Sequence, residues 1–342
     1  MKKIILYILI FLLVVVGFFF IGSAPQAKEI TWGVNISQKH AENLGLDWKE
    51  TYSALIDDLG AKNIKLATYW DLIEKKESEY NFSDLDWQIE KAEEKRVKIL
   101  LVIGMKTPRW PECHIPEWAK KLSKEKQQEK ISNLIEKIVL RYRDSNAINM
   151  WQVENEPFFP FGDCPWVDKE FLRKEITLVK SLDTRALVKG GNEAPASSTS
   201  RPVVISESGE FPVWIMAGRF GDIVGVTMYK KVWVHQIGVY LTYPFPPVFY
   251  HRKAEIVRKL FNKEVIGIEL QAEPWGPKLL YDSPLEEQEK TMNLEQFKYN
   301  INFAKKTGLK THYLWGGEWW FWMKEKQNKP EIWDEAKNLF RL

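Results

Sequence analysis

The sequence is short of cysteine, of histidine and of surplus charge. Two of its 342 residues are Cys and five are His. Two Cys cannot build a disulfide-rich scaffold or a four-Cys zinc site. His114 stands beside Cys113, but no second His lies at ligand spacing, so no metal is expected. The 49 Lys and Arg against 46 Asp and Glu leave a net charge of +3. Phosphate binding needs a clustered basic surface, so the near balance argues against a nucleic-acid partner. No glycine-rich phosphate or dinucleotide loop follows the first strand-like run, which counts against an open doubly wound sheet. No cofactor is expected, and the chain is expected to be a monomer.

What the sequence does have is tryptophan, 16 residues of it, in an otherwise ordinary globular balance of 45% hydrophobic and 28% charged residues. That balance excludes global disorder. Trp is costly to bury unless its N–H finds a partner, so this many suggests aromatic platforms as well as core. Sugars and single-stranded bases both stack on such platforms. The charge balance favours sugars.

Lys2 and Lys3 precede an apolar run from Ile4 to Ile21, and no charge returns until Lys28. Eighteen apolar residues suffice for a short transmembrane helix. A secretory apolar region is usually about 7–15 residues. Pro25 would directly follow a cut after Ala24, which is unfavourable. Residues 1–27 therefore read as an N-terminal anchor that enters the membrane through residues 4–21. The two lysines stay cytoplasmic by the positive-inside rule and residues 28–342 lie outside. A cleaved signal on a secreted protein is the alternative.

The rest alternates strand-like and helix-like runs. Strand candidates are Ile30–Ile36, Asn63–Thr68, Val97–Ile103, Ala147–Val153, Val203–Ser206, Asp222–Met228, Glu264–Ile268 and Lys310–Leu314. Leu187-Val188-Lys189 competes for the fifth place; with Val203 chosen, 185–200 becomes an inserted loop. Helices fall between the strands. Asp47 with Glu50 has capping-box spacing, Ser83 caps 84–95, 124–142 is a long amphipathic helix, and Ser283-Pro284 opens one running to about Lys306. Eight such units over about 310 residues predict a (β/α)8 TIM barrel, in which functional residues collect at the C-terminal ends of the strands.

Those ends carry chemistry. The fourth strand runs into Gln152-Val153-Glu154-Asn155-Glu156-Pro157 and the seventh into Ile268-Glu269-Leu270-Gln271-Ala272-Glu273-Pro274-Trp275. The sixth ends at Tyr229 and the eighth at Trp315-Gly316-Gly317-Glu318-Trp319-Trp320. Paired carboxylates facing across a barrel mouth suit glycosidic cleavage, in which one protonates the leaving oxygen and the other attacks or guides water. Asn155-Glu156-Pro157 in register with Glu269, Tyr229 and Trp315 resembles clan A of the retaining glycoside hydrolases, which includes cellulase-like enzymes. Tyr69-Trp70-Asp71 and the run Tyr80 to Asp86 resemble the clan's second unit.

The resemblance implies that Glu156 is the general acid/base and Glu269 the nucleophile. It implies that Asn155 holds a sugar hydroxyl, Tyr229 positions Glu269, and Trp315 floors a sugar subsite. Glu156 should then have a raised pKa. Glu154 shares the face of Glu156 if the strand geometry continues, and Glu273 rivals Glu269 while remaining a pocket candidate. Val203-Val204-Ile205-Ser206-Glu207 imitates a nucleophile segment, but accepting it leaves too few residues for the units before it. Two positions depart from the clan: Lys65 stands where many members carry Arg, and Thr227 where some carry His. Trp70, Trp275 and Trp319 are further candidates for substrate contact. Cys113 and Cys164 follow adjacent strands, so a disulfide clamping the cleft is expected. The expected activity is that of a retaining O-glycosyl hydrolase acting on a β-linked oligo- or polysaccharide. A catalytically silent carbohydrate-binding barrel and a cell-surface transglycosylase are the alternatives.

Overall fold

The computed structural model describes residues 2–184 and 200–341. Eight strands form a closed ring: β1 (Thr31–Ile36), β2 (Asn63–Ala67), β3 (Lys98–Ile103), β4 (Ile148–Val153), β5 (Val203–Glu207), β6 (Ile223–Met228), β7 (Glu264–Gln271) and β8 (Thr311–Trp315). Every pairing around the ring is parallel, and β8 closes on β1. The expected (β/α)8 barrel is present, with β5 beginning at Val203. The competing run 187–189 and residues 185–199 of the loop expected over 185–200 lie outside the described residues.

Alternation along the strands builds two apolar layers. Leu100, Met150, Val204, Ile266, Ile268 and Tyr313 form one buried cluster, filling the barrel. The larger cluster joins Ile99, Leu101, Ile103 and their counterparts on other strands to the surrounding helices. Lys65 is in register with Leu100, so it too belongs to the inner layer, where it is 1% exposed.

Besides short helices at Gln38–Asn43, Trp70–Ile73 and Leu285–Glu289, the described residues form α1 (Lys2–Phe20), α2 (Trp48–Asp57), α3 (Ser83–Glu94), α4 (Lys124–Tyr142), α5 (Lys169–Leu182), α6 (Ile215–Phe220), α7 (Pro247–Phe261), α8 (Leu294–Lys305), α9 (Gly317–Gln327) and α10 (Glu331–Phe340). Asp47 caps α2 by accepting from the Lys49 and Glu50 N–H groups, as its spacing predicts. Ser83 is the first residue of α3 rather than its cap. The helix expected from Ser283 to Lys306 is broken: Leu285–Glu289 is separate, and Asn293 caps a fresh start at α8 by accepting from Gln296 N–H at 2.9 Å. The loop after β6 contains an antiparallel hairpin of Lys231–Val234 and Val239–Thr242.

Helix α1 contains a stretch, Lys3–Phe20, long and apolar enough to cross a membrane, and none of it is buried. Its last residues, Phe19 and Phe20, meet Phe249 at 5.7 and 5.6 Å between ring centroids. The expected disulfide joins Cys113 to Cys164, across 51 residues, and ties the loop after β3 to the loop after β4.

Candidate active site

Both strands that carry the two candidate carboxylates are irregular. Along β4 the register against β3 steps from Ile99↔Ile148 to Leu100↔Met150, so β4 holds one extra residue. Along β7 the register against β6 steps from Val226↔Gly267 to Thr227↔Glu269, and against β8 from His312↔Gly267 to Leu314↔Leu270. β7 therefore bulges at Ile268 and Glu269. A bulge re-aims the side chains beyond it, which strict alternation would otherwise fix.

Past the end of β4 the backbone turns twice into the left-handed region, at Glu154 (φ 59°) and Glu156 (φ 42°). This conformation is uncommon for a residue with a Cβ. It separates two carboxylates that an extended chain would put on one face. Glu154 turns under the loop after β3, where it accepts from the N–H groups of Met105 (2.7 Å) and Lys106 (2.6 Å). Gly104 makes the approach possible, since a Cβ there would stand 2.3 Å from Glu154 Oε1. Glu156 turns into the mouth. Its N–H donates to Ser206 Oγ at 2.7 Å and its Oε1 accepts from the Thr227 hydroxyl at 3.3 Å.

Glu269 lies opposite. Its Oε1 accepts from Lys65 Nζ at 2.7 Å and its Oε2 from the Tyr229 hydroxyl at 2.9 Å. Glu156 is 8% and Glu269 4% exposed. Burial raises the Glu156 carboxyl well above the usual carboxylate range, and the nearby charge of Glu269 raises it further. Burial likewise pushes Glu112 up to about 7. The two facing carboxyls thus differ in surroundings: Glu269 accepts from Lys65 and Tyr229, whereas burial and the charge of Glu269 disfavour the ionised form of Glu156.

Glu273 has a third environment. Burial alone would raise its carboxyl, but the Arg109 guanidinium and His40 outweigh that and hold it at about 2. Arg109 grips Glu273 with both terminal nitrogens and also reaches Glu318 Oε2 at 3.2 Å. Its guanidinium lies over the Trp315 ring. Gly316, at φ 130°, lets the chain pass Glu273, whose Cβ would be 2.6 Å from a Cβ there.

The structure thus brings Glu156, Glu269, Tyr229, Lys65 and Thr227 to one mouth, with Glu273 and Trp315 beside it. Asn155 is 2% exposed; its amide donates to Glu112 Oε2 at 3.1 Å and its oxygen accepts from Gln152 at 3.1 Å. Trp275 stands on the rim against Tyr229, centroids 5.0 Å apart. Trp70 and Trp319 are not brought to the mouth. Both are buried, their indole N–H groups donating to Glu74 and Gln288 at 2.7 Å each. Glu207 turns to α6, accepting from the Ala217 N–H at 3.4 Å.

Sequence reasoning passed over Arg109, Glu112, Ser206 and Glu318. Arg109 and Glu112 sit in Pro108-Arg109-Trp110-Pro111-Glu112, a loop with no motif, and meet Glu273 and Asn155 only in the folded chain, where the disulfide ties this loop to the one after β4. Glu318 follows Gly316-Gly317 at the end of β8, which was its available signal.

The sequence model of glycosyl hydrolase family 10 matches residues 22–174, less than half of the chain. No curated protein matches in sequence. Among solved structures, the chain is similar to xylanase 10B from Thermotoga petrophila RKU-1 in complex with xylobiose, at 15% identity and a TM-score of 0.54, covering 84% of this chain and 82% of that one. It is similar to GH5_18 from Streptomyces cattleya in complex with GlcNAc, at 12% identity and a TM-score of 0.56, covering 84% and 70%. The β-galactosidase of the psychrophilic Marinomonas ef1 follows at 11% identity and a TM-score of 0.53, covering 91% and 59%. At such identities the structures speak for the barrel; the family match adds that the barrel is of the glycosidase kind.

Proposed function

Taking the chain as a (β/α)8 glycosidase, on the family match and the closed barrel, we propose that it is a retaining hydrolase of β-linked saccharides in which Glu156 is the acid/base and Glu269 the nucleophile. One observation carries the reading. Two buried carboxyls face each other, one with its pKa raised by burial and by its neighbour, the other gripped by Lys65 and Tyr229.

The steps follow from that asymmetry. Glu269 attacks the anomeric carbon while Glu156 gives its proton to the leaving oxygen, and a glycosyl ester forms on Glu269. Glu156, now a base, takes a proton from water, which attacks the same carbon and frees Glu269. Two inversions give net retention. Thr227 holds Glu156 and Lys65 draws negative charge to Glu269. Asn155 and Trp275 are assigned to sugar contact. Helix α1 is assigned as a single-pass anchor with the barrel outside the cytoplasm, in keeping with Lys3 at its start and the oxidised cysteine pair.

A screen of β-configured aryl glycosides with the full-length protein tests the reading. Glu156→Gln and Glu269→Gln should each abolish hydrolysis, and azide should rescue Glu269→Ala but leave Glu273→Ala unaffected. Full activity in both Gln variants would refute the pair. An inverted product, read by NMR, would refute retention.

A further inference from the structure

Exposed apolar side chains are not scattered over this barrel. Among the described residues after Ile21, twelve large hydrophobic side chains are exposed, and nine of them sit in the loops that follow β3 to β7. None sits in the turns at the opposite end of the barrel; the other three, Leu140, Leu260 and Tyr299, are on helices. The most exposed of the nine are Ile237 (66%) and Phe211 (60%), and the hairpin after β6 adds Val239 and Leu241. A monomer rarely concentrates its exposed apolar surface on one face without a partner for it. Six of the nine are aliphatic. Aliphatic side chains offer a sugar ring no π-face to stack on, but they partition readily into lipid.

The patch is continuous with two other features. Inward, ring contacts run from Tyr229 to Trp275, on to Phe161, then Phe159 and Phe211, with centroids 5.0 to 6.4 Å apart. Tyr229 donates to the candidate nucleophile. Outward, Phe211 meets Tyr243, Tyr243 meets Phe245, and Phe245 meets Phe20 at the end of α1. Helix α7 starts on the catalytic side of the barrel because it follows β6, and its first turn is what α1 packs against. The end of the apolar helix therefore emerges beside the catalytic mouth rather than beneath the barrel.

We propose that the loops after β3 to β7 form a lipid-facing surface that rests on the bilayer entered by α1. The substrate taken from that surface is a glycolipid, a sugar headgroup whose aglycone is an acyl or alkyl chain. The substrate half rests on the glycosidase reading; the surface half does not. Geometry agrees with chemistry. Glu156 protonates the leaving oxygen, so the aglycone departs on its side of the mouth, and the loops after β4 to β6 on that side carry much of the apolar surface. No soluble polysaccharide needs such a face.

The test uses the full-length chain in phosphatidylcholine vesicles. Both native cysteines are bonded to each other, so a single added thiol can be labelled with an environment-sensitive dye. Ile237→Cys is the probe and Lys62→Cys, exposed before β2 at the far end of the barrel, is the control. Brominated acyl chains are expected to quench the dye at 237 and not at 62. Equal, water-like signals at both would overturn the surface. A triple variant, Ile237→Asn with Val239→Thr and Leu241→Thr, is then compared on dodecyl and aryl glycosides of one sugar. Vesicle-borne dodecyl glycoside turnover should drop about ten-fold while aryl glycoside turnover stays within about two-fold, which also shows the variant folded. Equal effects on both substrates would overturn the glycolipid assignment. Quenching at 237 with neither glycoside cleaved by the unmodified protein would mean that the glycosidase reading, and not the surface, has failed.

Discussion

The Arg109 guanidinium carbon lies 3.9 Å from the centroid of the Trp315 ring. An arginine from the loop after β3 thus covers one face of an aromatic at the end of β8, on the far side of the mouth. Cation–π contact and two carboxylates hold it there. The ring that the strand pattern offers as a sugar floor has one face already occupied.

Removing one partner of a buried ion pair costs about 3–5 kcal/mol, much of it from the charge left behind. Arg109→Ala is therefore expected to lower Tm markedly, and Arg109→Ala with Glu273→Gln to recover part of the loss. Equal Tm values for the two variants would show that the pair is uncoupled. The double variant also uncovers the ring face of Trp315 that Arg109 covers.

The same pair gives a pH dependence with a definite sign. The folded carboxyl of Glu273 sits at about 2, against 4.5 for the free group. Its stabilisation is complete above the unfolded value and is lost as pH falls towards the folded one; the size is about 3 kcal/mol. Urea midpoints taken between about pH 5 and pH 2.5 should fall more steeply for the unmodified protein than for Glu273→Gln. Parallel curves would contradict this.

Glu175, on α5, behaves in the opposite way. It is 1% exposed, and burial first, then the charge of Glu154, raises its carboxyl well above the usual range. Both carboxyls line a cavity of about 180 Å³ beneath the disulfide. A group with a raised folded pKa loses its contribution as pH rises through that value. Glu175→Gln keeps the shape without the titration, so it should gain on the unmodified protein as pH rises from about 4, where the two differ little, towards about pH 9. A variant that is less stable at high pH would refute the neutral carboxyl.

The two donors on Glu269 are expected to matter for chemistry rather than binding. Loss of one aligned charge-stabilising donor typically lowers kcat by about 10²–10³-fold. Lys65→Met and Tyr229→Phe should reduce kcat on that scale with little change in KM. Loss confined to KM would assign both residues to substrate binding instead.

The Cys113–Cys164 bond closes a loop of 51 residues, worth about 4 kcal/mol in the chain-entropy description. Reduction, or Cys164→Ser, should lower the denaturant midpoint accordingly. It should also loosen the loop bearing Arg109, visible as faster amide exchange over residues 104–113.

Much of the architecture was readable from the chain because barrel strands, covered on both faces, are runs such as Ile99–Ile103, and helices between them carry local caps such as Asp47. The expectations that missed depended on non-local contacts. The hairpin strands Lys231–Val234 and Val239–Thr242 are four residues each, too short for periodicity to announce them, and the Trp233 N–H donates to Trp275 O at 3.2 Å. Trp70 and Trp319 sit where a rim platform was expected, yet Glu74 and Gln288 satisfy their indoles inside the protein.

The sequence by itself determined the eight-fold alternation, the apolar N-terminal helix and the strand ends on which the carboxylates fall, because these depend on periodicity and spacing along the chain. Only the tertiary structure decided which carboxylate looks where. Bulges in β4 and β7 and left-handed turns at Glu154 and Glu156 are set by pairing with neighbouring strands, and each reverses a side-chain direction that alternation alone would assign. The same holds for the reach of Arg109 to Glu273, 164 positions along the chain, and for the gathering of exposed apolar loops beside the end of α1. Closing a barrel brings distant loops to one face, and no local pattern records that meeting.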